Sequence, residues 1–312
     1  MKYLRFEPLV RDLSRLVLGT AYVGDWPEEE AFALLDAWVE TGGNTIDCAR
    51  QYGDGAAEGV LGRWLAARRP DDVTVITKGG HHVTHGLEHD PDQKRVTPAD
   101  IAADLEESLD TLGVGRVDLY FLHRDDPAKP IGPIVEALNG HLRAGRIATF
   151  GGSNWTTARI AEANAYAEAN GLEGFSASSP GFNLAEQNEQ PWPGTVTGRD
   201  RESREWYRRT QIPLFAWSSL AGGFFAGVRS PELDRVYLNE RNLERLRRAE
   251  ELARRFGVTA NEVALAWVLH QSFPTYALIG PRNPAELHES LAALDVELTP
   301  EDVRRLDLEE DG

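Results

Sequence analysis

The sequence predicts an α/β fold, a single-domain (β/α)8 (TIM) barrel covering residues 1–312. Three observations predict it. Eight short apolar runs alternate with helical patterns from residue 16 to about residue 293, and eight strand–helix units in a chain of 312 residues fit a closed barrel. No Pro/Gly/Ser-rich linker divides the chain. An open doubly wound sheet would place a G-x-G-x-x-G turn after its first strand, and Gly19-Thr20-Ala21-Tyr22-Val23-Gly24 does not supply one.

The strands are expected at 16–20, 44–48, 73–78, 117–122, 148–152, 174–178, 212–217 and 276–280. Helices fill the gaps at 28–41, 57–68, 98–112, 131–144, 156–170, 201–210, 243–270 with a break, and 284–293. Their ends carry capping chemistry. Thr97-Pro98 sets Pro at the first helical position with Asp100 in the first turn, and Thr156 and Asn283-Pro284 repeat the signal. Gly42, Gly113, Gly145 and Gly171 fall where helices should stop, since glycine accepts the left-handed residue that closes a helix. Residues 300–311 read as a short terminal helix with a solvated acidic tail. Two segments exceed an ordinary loop, 79–96 and 181–200; on the carboxyl side of a barrel such loops shape the ligand site.

Composition narrows the partners. A net charge of −17 and a pI of about 4.9 make nucleic acid and anionic membranes poor partners. No apolar run approaches the roughly 20 residues of a membrane span. The N-terminus lacks a basic segment followed by an apolar stretch, and Cys48 is the one cysteine, so a reducing, cytoplasmic setting is expected. The only lysines are Lys2, Lys78, Lys94 and Lys129, which makes one at a strand end informative.

Four polar residues stand at or just beyond the carboxyl ends of the second, third and fourth strands: Asp47, Tyr52, Lys78 and His123. Singly, each has an ordinary explanation as a loop cap, a rim contact or a solvated charge. Together they are an acid, a phenol, an ammonium and an imidazole at the mouth of a barrel. A phenol with a pKa of about 10 is a weak acid at neutral pH, and a nearby ammonium would lower that value. Lys78 could supply the ammonium, Asp47 could hold it, and His123 could orient a carbonyl.

Asn44-Thr45-Ile46-Asp47-Cys48-Ala49-Arg50-Gln51-Tyr52-Gly53 resembles the signature of the aldo-keto reductase family, with Cys48 in place of the usual threonine. Ile76-Thr77-Lys78, Leu122-His123-Arg124-Asp125-Asp126, Gly152-Ser153-Asn154 and Ala216-Trp217-Ser218-Ser219-Leu220 are similar to its later motifs, in order. The resemblance implies a barrel that binds NADP, with NAD as the alternative, and reduces an aldehyde or ketone. It implies Tyr52 as proton donor, Lys78 and Asp47 as its tuning pair, and His123 beside the carbonyl. No metal is expected, because the tyrosine would protonate the developing alkoxide directly. Nucleotide contacts are implied at Gly19, Thr20, Ala21, Asp47, Ser153, Asn154, Ser179, Trp217, Ser218, Leu220, Gly222, Gly280, Arg282, Glu286 and Ser290. Ser179 stands where the family usually has glutamine, and Trp217 where it has tyrosine. Glu286 stands where the family often has arginine or glutamine, and Ser290 where it often has asparagine. Arg282 and the following helix N-terminus suit a 2′-phosphate, and on that balance NADP is favoured.

The substrate wall is expected from Trp26, Trp155 and Trp192, with His81, Tyr52 and His123 inside. Arg50, Arg124 and Asp125 nearby would suit a sugar-like carbonyl compound. His81, His82, His85 and His89, with Glu88 and Asp90, read as a polar loop rather than a metal site. Two other functions remain open: a barrel aldolase with a Schiff base on Lys78, and a binding protein that senses nicotinamide redox state.

Overall fold

The computed structural model describes residues 1–70, 72–82 and 94–309. Its centre is a closed parallel barrel. The hairpin strands β1 (Tyr3–Phe6) and β2 (Arg11–Ser14) come first, and eight barrel strands follow. These are β3 (Leu16–Gly19), β4 (Thr45–Asp47), β5 (Thr74–Gly79), β6 (Val117–Leu122), β7 (Ile147–Ser153), β8 (Ala177–Ser179), β9 (Leu214–Ala216) and β10 (Thr275–Ile279). β10 closes against β3, through the pair Ala277 and Leu16. The helices are α1 (Glu28–Glu40), α2 (Ala56–Arg68), α3 (Pro98–Leu112), α4 (Ile131–Arg143), α5 (Thr157–Ala169), α6 (Arg201–Thr210), α7 (Pro231–Tyr237), α8 (Glu240–Phe256), α9 (Ala260–Leu269), α10 (Pro284–Ala292) and α11 (Pro300–Leu306).

The expected caps are formed. Thr97, Thr156 and Asn283 accept hydrogen bonds from the backbone N–H groups of Asp100, Arg159 and Glu286, satisfying donors that a helix start leaves unpaired. The break expected in 243–270 is Gly257, at φ 71°, followed by the Thr259–Glu262 capping box that starts α9. The seventh strand begins two residues later than expected, after Ile212-Pro213. The amino-terminal hairpin and α7 are additions to the expected elements.

The hairpin explains why only one end of the barrel is available. Phe6 and Leu13 are buried with Val17, Ile76, Leu119, Phe121, Phe215 and Tyr276 in the barrel interior. Phe6 meets Phe215 and Tyr276 edge to face at 5.7 and 6.1 Å, and the Tyr276 hydroxyl bonds the Leu4 carbonyl at 3.2 Å. Since Tyr276 lies near the start of its strand, the hairpin plugs the amino end. The polar strand termini are therefore left at the carboxyl end, where a barrel builds its site. Among the described residues, no helix is long and apolar enough to cross a membrane.

Candidate active site

Register brings the strand-end residues together. Gly19 pairs with Asp47 across β3 and β4, Asp47 with Ile76 across β4 and β5, and Lys78 with Phe121 across β5 and β6. Lys78 and Asp47 are each only 2% exposed. The Lys78 ammonium donates to Asp47 Oδ2 at 2.6 Å, to the Cys48 carbonyl at 3.0 Å and to the Tyr52 hydroxyl at 3.1 Å. An ammonium has three N–H donors, so these bonds use its capacity in full. Burial alone would lower Lys78, but the Asp47 and Tyr52 charges carry it above its ordinary value. Burial pushes the Asp47 carboxyl up while Lys78 pulls it back.

Tyr52 behaves differently from the sequence expectation. Burial raises the phenol above its ordinary value; Lys78 opposes the rise and Asp47 adds to it. The ammonium therefore limits an upward shift instead of producing a net downward one. The proton stays on the tyrosine across the neutral range.

His123 faces the Tyr52 ring edge to face at 5.8 Å and the His81 ring at 4.8 Å. Burial, then the neighbouring Arg124 charge, holds it well below the usual histidine value, so the imidazole is neutral. Its Nδ1 is buried without a hydrogen-bond partner among the described residues. His81 is pushed down to about 3, chiefly by burial and by Arg124. His85, His89, Glu88 and Asp90 lie outside the described residues.

Ser153, Asn154 and Ser179 meet where β7 and β8 end. The Ser153 hydroxyl and the Asn154 N–H both donate to the Ser179 carbonyl, at 3.0 Å each. The Asn154 amide donates to the His123 carbonyl at 3.1 Å and to Ser153 Oγ at 3.2 Å, and the residue sits at φ 58°. The Ser179 hydroxyl is fully buried and has no partner among the described residues. An orphaned hydroxyl beside an amide is what a polar carboxamide arriving with a nicotinamide would satisfy. Trp217 lies over Gly181, where a Cβ would come within 3.0 Å of the indole ring; the glycine makes room for that face. Trp192, 55% exposed, leans on Trp217 with centroids 6.0 Å apart.

The other expected nucleotide contacts divide. Gly19 is held close to the Ile279 carbonyl, 3.1 Å from where its Cβ would lie. Thr20 is fully buried, and both its hydroxyl and its N–H are committed to the Asp47 carbonyl, at 2.9 and 3.0 Å. It locks β3 to β4, and its hydroxyl proton is not free for a ligand. Ala21 is exposed beside it. Ser218 and Gly222, at φ 52° and 63°, shape the turn after β9, and Gly280 is open on the surface after β10. Leu220 and Ser290 line one cavity of about 440 Å³ with Phe225, Leu265 and Glu289, a room with apolar walls and polar edges suited to a nucleotide base. At the start of α10 the Arg282 guanidinium is bonded by Glu286 at 2.8 and 3.0 Å, and the same carboxylate accepts the Arg282 N–H at 2.9 Å.

Some expected substrate residues point elsewhere. Trp155 is 1% exposed, stacks edge to face on Phe175 at 4.8 Å and donates its indole N–H to the Arg124 carbonyl at 3.0 Å. It belongs to the layer between barrel and helices and is not part of the wall. Trp26 is half-buried against the same outer core. Arg50 bonds Glu107 at 2.6 Å, and Asp125 is paired with Arg159 at 3.3 Å, so two of the three polar groups proposed for a sugar are engaged elsewhere.

Residues 15–309 match the model of the aldo/keto reductase family. The chain is 29% identical to the oxidoreductase YrpG of Bacillus subtilis, over 94% of this chain and 91% of that protein. It is 27% identical to the aryl-alcohol dehydrogenase GME11368 of Pestalotiopsis microspora, over 97% and 79%. It is also 27% identical to the norsolorinic acid reductase stcV of Emericella nidulans, over 95% and 78%.

Proposed function

The chain belongs to the aldo/keto reductase family and is an oxidoreductase of carbonyl compounds, and from that premise we propose that it reduces aryl aldehydes or ketones with NADPH. The observation that carries the proposal is the Lys78 ammonium, bonded at once to Asp47 and Tyr52.

A nicotinamide held by Ser153, Asn154, Ser179 and the Trp217 face would supply the hydride. Tyr52 holds its proton at the phenol oxygen and gives it to the carbonyl oxygen as negative charge develops there. The phenolate left behind is stabilised by Lys78, whose charge is fixed by Asp47. His123, kept neutral, has an N–H for the same carbonyl oxygen and adds no positive charge that would compete for the proton. Trp192 and Trp217 offer aromatic faces to an aryl group. The names of the aryl-alcohol and norsolorinic acid relatives point to the same class. A sugar is less well supported, because Arg50 and Asp125 are already paired.

NADP is favoured over NAD because Arg282 stands exposed at a helix N-terminus. Its pair with Glu286 is solvent-exposed and screened, so a phosphate dianion can displace it. The aldolase alternative needs an uncharged amine on Lys78, and all three of its N–H groups are bonded. Fluorescence titration with NADPH and NADH, followed by turnover of benzaldehyde, acetophenone and an aldose, tests the proposal. Tight nucleotide binding with turnover of the aryl substrates is expected. Binding without turnover of any carbonyl would leave the nicotinamide-sensing alternative.

A further inference from the structure

One buried cation in this site has no counterion among the described residues. Arg124 follows the catalytic-side His123 and is only 6% exposed. Its Nη1 donates to the His123 carbonyl at 2.9 Å, and its Nε is buried with no hydrogen-bond partner among the described residues. No carboxylate among the described residues pairs with it. The chain had candidates nearby: Asp125 is next in sequence but is taken by Arg159 at 3.3 Å, and Asp126 turns back to accept the Ala128 N–H at 3.1 Å. A chain of net charge −17 has carboxylates in excess, so an unpaired guanidinium here is notable. An unpaired buried charge is strongly destabilising, as when one partner of a buried pair is removed.

The group is also fixed in place. Its own carbonyl accepts the Trp155 indole N–H at 3.0 Å, and its side chain is anchored on the preceding residue. Burial draws the guanidinium down only to about 10, so it stays charged at neutral pH, and a negative Tyr52 would support that charge. The 181–200 loop passes it at Gly194, where a Cβ would lie 3.8 Å from Nε. That glycine is in the turn closed by Thr195 Oγ1 on the Trp192 carbonyl at 2.7 Å, so the cation sits next to the turn that carries the Trp192 ring. In the barrel, β6 is diametrically opposite β10, so Arg124 is on the far side from Arg282 and the expected nucleotide phosphates.

We propose that Arg124 receives a carboxylate carried by the substrate, so that this site is built for aryl aldehydes or ketones bearing an acid group. The inference rests on the reductase proposal for its substrate class, but the anion site itself can be tested apart from turnover.

The test uses the full-length enzyme and its Arg124→Met and Arg124→Lys variants. The probes are benzaldehyde and 3- and 4-carboxybenzaldehyde with NADPH, and benzoate alone by calorimetry. A charge-assisted hydrogen bond is worth about tenfold to a hundredfold in affinity. The wild type is expected to favour at least one carboxylated aldehyde over benzaldehyde by about tenfold or more in kcat/KM. In Arg124→Met that ratio is expected to fall toward one, with Arg124→Lys between, and benzoate binding to weaken at least about tenfold. A wild-type ratio near one would overturn the proposal without reference to any variant's folding. So would an Arg124→Met enzyme that keeps the ratio, or benzoate that does not bind or binds equally to both. If no aldehyde is turned over, the reductase proposal fails, and Arg124-dependent benzoate binding still decides the anion site.

Discussion

The two ends of the site are built on different principles. At β4, β5 and β6, the Asp47–Lys78–Tyr52 unit is interlocked inside the barrel mouth, with Lys78 and Asp47 almost wholly buried. Across the barrel, at β9 and β10, the proposed nucleotide end is made of surface groups: an exposed Arg282 tied to Glu286, and a cavity lined by Leu220 and Ser290. In the Asp47–Lys78–Tyr52 unit each group depends on its neighbours, because a buried charge is costly unless it is paired. At the proposed nucleotide end, solvent screens the charges and any one of them can be exchanged at little cost. Chemistry is thus expected to be rigid and substitution-sensitive, and nucleotide choice to be tunable.

The strongest test of this contrast is Tyr52→Phe. Losing a general acid should lower turnover by about 10²–10⁴-fold while nucleotide titration is largely unchanged; turnover close to wild type would break the assignment. Next is Lys78→Met, which leaves Asp47 buried without its cation. Chemical denaturation should report a loss of about 3–5 kcal/mol together with lost turnover, and wild-type stability would mean the unit is not interlocked.

A third test uses pH. His123 and His81 stay neutral in the fold, with His81 down to about 3, whereas in the unfolded chain they take up protons below about 6.5. The unfolded state therefore binds more protons in acid. Stability is complete above about pH 6.5 and declines as pH falls toward 3, by up to about 1.4 kcal/mol per pH unit for each histidine. Melting curves between pH 8 and 4 should decline less steeply in His123→Asn; an equal slope would show that this imidazole is not the titrating group. The smallest effect is expected at the other end, where Arg282→Ala should weaken NADPH more than NADH by several-fold. Equal losses would remove the 2′-phosphate contact and sharpen the contrast in the opposite direction.

The fold was legible because its signals are local. Alternating runs, the Thr97, Thr156 and Asn283 caps and the glycine stops each declare an element within a few residues. The hairpin was not: Tyr3-Leu4-Arg5-Phe6 is too short to show a strand pattern, and Phe6 gains its meaning only from Phe215 and Tyr276. In the site, Asp47, Tyr52, Lys78 and His123 could be named because strand ends of a parallel barrel converge wherever the intervening sequence leads. The outward turn of Trp155 could not, since two positions past the end of β7 the side chain can enter the mouth or the helix layer. Glycine at 152, where a Cβ would meet the Trp155 ring at 2.8 Å, was the available signal.

The sequence by itself determined the barrel, the order of its strands and the four groups at their ends, because alternation and topology leave a strand's last residue little choice of place. The tertiary structure alone decided the protonation of those groups and the company of the rest. Burial keeps Tyr52 protonated against the pull of Lys78, 26 residues away, burial beside Arg124 keeps His123 neutral, and packing brings no carboxylate of the described residues to Arg124. Charge state depends on which atoms surround a group in space, and that information is not local to any stretch of the chain.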